Sequence, residues 1–100
     1  MSFSTIGGKV EEQYTLAEKK ALSVDTTGTS YTLSTTNAKL IVLVAVDDDI
    51  IWDVEPINSD SPIILKGGGY SLTVGNLSQP ITIYAKAKTE SGTLYIQVFK

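Results

Sequence analysis

Apolar and polar residues alternate with a period of two along most of this chain, and that alternation predicts a series of short β-strands. Leu22 and Val24 flank Ser23, and Tyr31 and Leu33 flank Thr32, with Asp25-Thr26-Thr27-Gly28 reading as the turn between them. A second turn at Asn37 leads into Leu40–Val46, which is apolar on both faces and is expected as a central strand with material packed on each side. Strands are then expected at Ile50–Trp52, Ile63–Leu65 and Tyr70–Val74, the last two joined by the glycine turn Lys66-Gly67-Gly68-Gly69.

The last two strands carry the sharpest pattern. Ile81, Ile83, Ala85 and Ala87 share one face, and Leu94, Ile96 and Val98 share another. If Thr89-Glu90-Ser91-Gly92 closes a four-residue hairpin, Ile83 opposes Val98, Ala85 opposes Ile96 and Ala87 opposes Leu94. That register would set Thr82, Tyr84 and Lys86 against Phe99, Gln97 and Tyr95 on the other face. Such an aromatic face reads equally as ordinary cross-strand pairing and as a protein-contact surface.

The N-terminal segment differs. Val10, Tyr14 and Ala17 recur at helical spacing within Val10–Lys20, but polar residues lie on every side and no clear cap precedes them. The segment is either a short helix or an extended arm, and the extended form is favoured. The expected organisation is an arm over residues 1–18 and a β domain over 19–100. The fold class is all-β: a single small antiparallel β-sandwich, jelly-roll or immunoglobulin-like, with an N-terminal arm or short helix.

Composition narrows the chemistry. The chain has 100 residues, enough for one core. It has no cysteine, so disulfides, thiolate nucleophiles and zinc–thiolate sites are excluded. It has no histidine, the usual general base near neutral pH, so the common nucleophilic triads cannot be assembled. It has no arginine, and its net charge of −3 repels phosphate, which argues against nucleic-acid binding. The N-terminus lacks a secretory pattern, and Leu40–Val46 is far short of a membrane helix, so a soluble protein made in a cytoplasm is expected.

Asp47, Asp48, Asp49, Asp53 and Glu55 form the best candidate for calcium, which takes carboxylate oxygens at loop spacing. The glycine and closing glutamate of an EF-hand loop are missing, so a polar turn is the favoured reading. The same carboxylates are too little for glycoside hydrolysis without an enclosing cleft and a carboxyl of raised pKa. In Lys66–Gly69 the lysine precedes the glycines, the reverse of a phosphate-binding loop. Trp52 is expected in the core or at an interface, and Asn76-Leu77-Ser78 matches a glycosylation sequon that reads as a turn. No catalytic, cofactor-binding or metal-binding residue is assigned.

From Lys39 onward the order of features resembles the small β-sandwich virion proteins of tailed bacteriophages. The residues that carry the resemblance are the apolar strand Leu40–Val46, the acidic turn Asp47–Asp49 and the Ile-x-Trp strand Ile50–Trp52. A Ser/Pro-rich loop at Pro56–Pro62 follows, then Ile63–Gly67 ending in Lys-x-Gly, Ser71–Thr73, and the closing strand Gly92–Val98. The triple glycine and the acidic N-terminal segment depart from the pattern. The resemblance implies a non-enzymatic structural protein located in the virion, for capsid decoration or head-fibre attachment. Its partners would be other virion proteins of the capsid, neck or tail, and it would assemble as a homo-oligomer such as a trimer, without membrane or nucleic acid. The alternative is a carbohydrate-binding module of a host-recognition apparatus, with Trp52, Tyr70, Tyr84 and Tyr95 as stacking rings.

Overall fold

The computed structural model describes residues 5–6, 9–10, 14–74 and 79–100. Ten strands follow one another: β1 Thr5–Ile6, β2 Lys9–Val10, β3 Leu16–Asp25, β4 Thr29–Thr32, β5 Leu40–Val46, β6 Ile50–Asp53, β7 Ile63–Ile64, β8 Gly69–Thr73, β9 Thr82–Ala87 and β10 Ser91–Phe99. There is no helix among the described residues. β1 and β2 pair with each other, Thr5 opposite Val10. The other eight strands form two four-stranded antiparallel sheets, β3-β10-β5-β8 and β4-β9-β6-β7. The expected all-β sandwich is the fold of this chain.

The pairing is nested. β6 pairs β7, β5 pairs β8, β4 pairs β9 and β3 pairs β10, as in one long hairpin with its tip between β6 and β7. Two further ladders, β10 with β5 and β9 with β6, roll that hairpin into two facing sheets. This is the strand order of a jelly roll.

Leu40–Val46 illustrates how the elements form. β-branched and aliphatic residues suit a pleated surface, and Ile41, Leu43 and Ala45 point inward and are fully buried. Facing them from the second sheet are Ile50, Trp52, Ile83, Ala85 and Ala87, while Leu94, Ile96 and Val98 complete the first sheet's inner surface. The central position expected for β5 is observed, since it lies between β10 and β8. No strand among the described residues packs on its other face, where Leu40, Val42, Val44 and Val46 are half-buried.

The expected hairpin between the last two strands is not formed. β9 and β10 lie in different sheets, so Ile83 pairs with Tyr31 and Val98 pairs with Ile41 and Glu18. The inward faces are as expected, with Ile83, Ala85, Leu94 and Val98 fully buried. Two apolar faces can meet side by side in one sheet or face to face across a core, and alternation alone does not separate these cases. Tyr84 and Tyr95 consequently point out from opposite sides of the sandwich and form no common aromatic face.

Of the two conformations open to Val10–Lys20, residues Leu16–Lys20 adopt the extended one, as the start of β3. β3 is the edge of the first sheet, and polar side chains on most sides of the segment suit an edge strand in water. The rest of the expected arm falls largely outside the described residues.

Gly92 marks where the last connection is tightest. A Cβ there would lie 2.7 Å from the Val46 carbonyl oxygen and 3.2 Å from the Asp48 Cβ. Replacing Gly92 with alanine is expected to lower stability by about 1–3 kcal/mol through this overpacking, read as a lower urea midpoint with an unchanged slope.

Candidate contact surface

The acidic run folds as a turn in which each aspartate has a separate structural role. Asp47 takes the left-handed conformation (φ 74°), which aspartate tolerates better than most residues. Asp48 turns inward and accepts hydrogen bonds from the backbone N–H of Thr89 at 3.0 Å, the N–H of Glu90 at 2.9 Å and the Thr89 hydroxyl at 2.8 Å. Asp49 accepts from the Lys66 N–H at 2.8 Å, and its carbonyl accepts from the Lys88 N–H. Asp53 accepts from the Ser61 hydroxyl at 2.6 Å and so anchors the loop between β6 and β7. Among the described residues no three acidic side chains converge as a metal site would need. Asp48 and Asp49 instead tie the β5–β6, β7–β8 and β9–β10 connections together at one end of the sandwich, while Asp53 holds the β6–β7 loop at the far end of β6.

A second carboxylate does similar work at the side. Glu18 on edge strand β3 accepts from the Tyr31 hydroxyl, from the Ser34 and Thr35 N–H groups and from the Thr35 hydroxyl at 2.7 Å. Lys20 lies over the Tyr31 ring, with Nζ 5.7 Å from its centroid. This polar clamp joins the edges β3 and β4 of the two sheets. Nothing in the sequence pattern singled out Glu18. A carboxylate spaced for a helix face carries no sign that it will meet a loop 16 residues on.

The four candidate stacking rings do not converge. Trp52 is only 5% exposed, and its ring meets that of Tyr70 on the edge strand β8 of the other sheet at 5.3 Å and 46°. Its indole N–H is buried without a hydrogen-bond partner among the described residues. Tyr84 stands on the outer face of the second sheet, between Ser30 and Asp53 in the ladder. There it lines a depression of about 490 Å³ with Pro56, Ile57 and Lys86. Tyr95, 46% exposed, stands on the outer face of the first sheet. Lys66–Gly69 is the expected glycine turn, with Gly67 at φ 82°, and it joins strands of different sheets. Asn76-Leu77-Ser78 lies outside the described residues.

The two outer faces differ in character. The second sheet shows mainly hydroxyls and charge, Ser30, Thr32, Thr82, Tyr84, Lys86 and Asp53, with the Thr32 and Thr82 hydroxyls 2.8 Å apart, and only Ile51 and Ile63 are apolar there, toward its β7 edge. The first sheet shows rows of apolar side chains instead. Leu16, Phe99 and Leu40 are neighbours in register, Val42 lies beside Gln97, and Ala21, Tyr95 and Val44 form a third row ending at Gly69. Val46 follows beside Thr93. Lys19, beside Gln97, is the one charged side chain in these rows among the described residues. An antiparallel sheet open to water on one side normally alternates apolar-in and polar-out. Here the central strand is apolar outward as well, so this face is the candidate contact surface.

Comparison with known protein families, with curated proteins and with solved structures found no match for this chain. Among the described residues no helix is long and apolar enough to cross a membrane.

The clamps carry a pH dependence. Partial burial raises the Glu18 carboxyl, but the hydrogen bonds from Tyr31, Thr35 and Ser34 outweigh it and hold the pKa at about 2, below the ordinary 4.5. The Glu90 and Thr89 donors hold Asp48 at about 2, below the ordinary 3.8. Depressed carboxylates stabilise the fold fully above their unfolded pKa and lose that contribution as the folded form takes up its proton. Stability is therefore expected to fall as pH drops from about 4.5 toward about 2. Glu18→Gln should lower stability at pH 7 by about 1–2 kcal/mol, the lower part of the charge-assisted range because the site is partly wet. It should also flatten the acid limb, both read by thermal unfolding at stepped pH.

Proposed function

We propose that this chain is a non-enzymatic structural protein of a tailed-phage particle, a capsid decoration or head-fibre attachment module that acts through protein–protein contact. The observation that carries the reading is the apolar outer face of the first sheet, where Leu40, Val42, Val44, Val46, Tyr95 and Phe99 stand where polar residues are usual. Its occupant is an apolar patch on a neighbouring virion protein, with an acidic group placed to meet Lys19. The order of motifs from Leu40 to Val98 supports the setting. The jelly-roll strand order is compatible with it, being common to viral capsid and lectin domains, although a fold alone assigns no role.

The absence of histidine and cysteine from the chain favours a non-catalytic role. So does the use of Asp48, Asp49 and Asp53 as acceptors for chain connections. The carbohydrate reading is less favoured, because Trp52 is buried and Tyr84 and Tyr95 point from opposite faces.

Val42→Lys and Tyr95→Ser test the surface, since both side chains point outward and their loss leaves the core intact. The chain is expected in gradient-purified particles at a fixed copy number by quantitative mass spectrometry. Each variant should keep its thermal unfolding within a few degrees and lose at least about tenfold of that occupancy, about 1.4 kcal/mol of binding. Absence of the unaltered chain from purified particles would overturn the reading.

A further inference from the structure

Four strand edges end the two sheets, and three of them are protected. β3 carries Glu18, Lys19 and Lys20 and has a register shift opposite Val98 and Phe99. β4 is four residues long and lies under the Glu18–Tyr31 clamp. β7 has two residues and follows Pro62. Charge, irregularity, short length and proline are the usual devices against edge-to-edge pairing. β8 has none of them. Gly69-Tyr70-Ser71-Leu72-Thr73 is uncharged, free of proline and regular in its pairing with β5.

The direction of its backbone groups follows from the ladder. Ala45 donates to the Gly68 carbonyl and Val74 donates to the Lys39 carbonyl, so the alternate residues Tyr70, Leu72 and Val74 direct their N–H and C=O toward β5. Gly69, Ser71 and Thr73 therefore aim theirs outward, where no strand pairs with them among the described residues. Unpaired donors and acceptors in such a row form a template for another extended segment.

We propose that this edge pairs with the β8 of a second copy, antiparallel about Ser71, joining two first sheets into one eight-stranded sheet across a two-fold axis. The segment is self-complementary in that register. Ser71 meets Ser71 of the other copy, and Gly69 meets its Thr73, so every outward N–H and C=O finds a partner and about six hydrogen bonds close. Tyr70, 47% exposed, comes beside the half-buried Leu72 of the other copy on the inner surface. A tyrosine against an aliphatic residue is a favourable cross-strand pair. No like charges meet. On the outer surface Ser71 neighbours Val42 and Gly69 neighbours Val44, so the apolar faces of the two copies are brought onto one sheet. A dimer of this kind presents a doubled contact surface to a partner, yet its formation depends on β8 alone and not on the assignment to a particle.

Sedimentation of the purified full-length chain, with no other protein present, tests the proposal and so fails or succeeds separately from the particle assignment. The expected mass is twice the 10.7 kDa of one chain. Ser71→Pro removes an outward N–H that the fold does not use, and Ser71→Lys keeps every N–H but sets two ammonium groups against each other at the axis. Ser71→Lys should raise the dimer dissociation constant at least about tenfold while leaving thermal unfolding at low concentration unchanged. Ser71→Pro should do the same, and if it folds poorly Ser71→Lys alone decides. A monomer at all concentrations, a trimer, or an undiminished dimer in Ser71→Lys would overturn the proposal.

Discussion

Asp48 is the residue on which the rest of the arrangement turns. The chain has to leave the second sheet at Ala87 and enter the first at Ser91, and the short connection between them would otherwise leave N–H groups without acceptors at the sandwich rim. One carboxylate from the turn between β5 and β6 takes up two of those N–H groups and a hydroxyl. Because that turn also joins the two sheets, the same contact locks two sheet-to-sheet crossings together. Gly92 lets the Val46 carbonyl approach close enough for the lock to form. With the crossing in place, β10 falls between β3 and β5, and β9 falls between β4 and β6. The nested order is then complete and the core closes between the sheets.

The two long sides of the sandwich close by different means. On the side of β3 and β4 the seal is a hydrogen-bonded carboxylate, Glu18, with Tyr31, Ser34 and Thr35. On the side of β8 and β6 it is aromatic, through Trp52 and Tyr70. The polar seal occupies and protects its edges. The aromatic one leaves the outward backbone groups of β8 without a paired strand among the described residues and Tyr70 half in water. The apolar outward side chains of β5 lie one strand in from that edge, behind Gly69, Ser71 and Thr73 of β8.

Much of the strand content was legible because burial has a period of two. Ile41, Leu43 and Ala45, Ile83 and Ala85, and Leu94, Ile96 and Val98 all face inward as their alternation required. Which strands lie side by side was not legible. A hairpin and a sheet-to-sheet crossing place the same residues inward, and the deciding contacts come from Asp48, 41 residues away from its Thr89 partner. The run of aspartates drew attention to calcium because composition reports how many carboxylates are present and not what they accept. Glu18 was invisible for a related reason: its partners are backbone N–H groups, which every loop possesses. The apolar outward face of β5 was visible in the sequence, but it read as evidence of two-sided packing, and only the sheet order shows that no strand among the described residues covers its second face.

The nested pairing is most directly tested by the cross-strand backbone contacts of β10 in a solution NMR study of the labelled chain. The account predicts that Tyr95 shows backbone contacts to both Ala21 and Val44, and that Tyr84 shows them to both Ser30 and Asp53. Backbone contacts linking Ile83 to Val98 and Ala85 to Ile96 would place β9 and β10 in one sheet and contradict it.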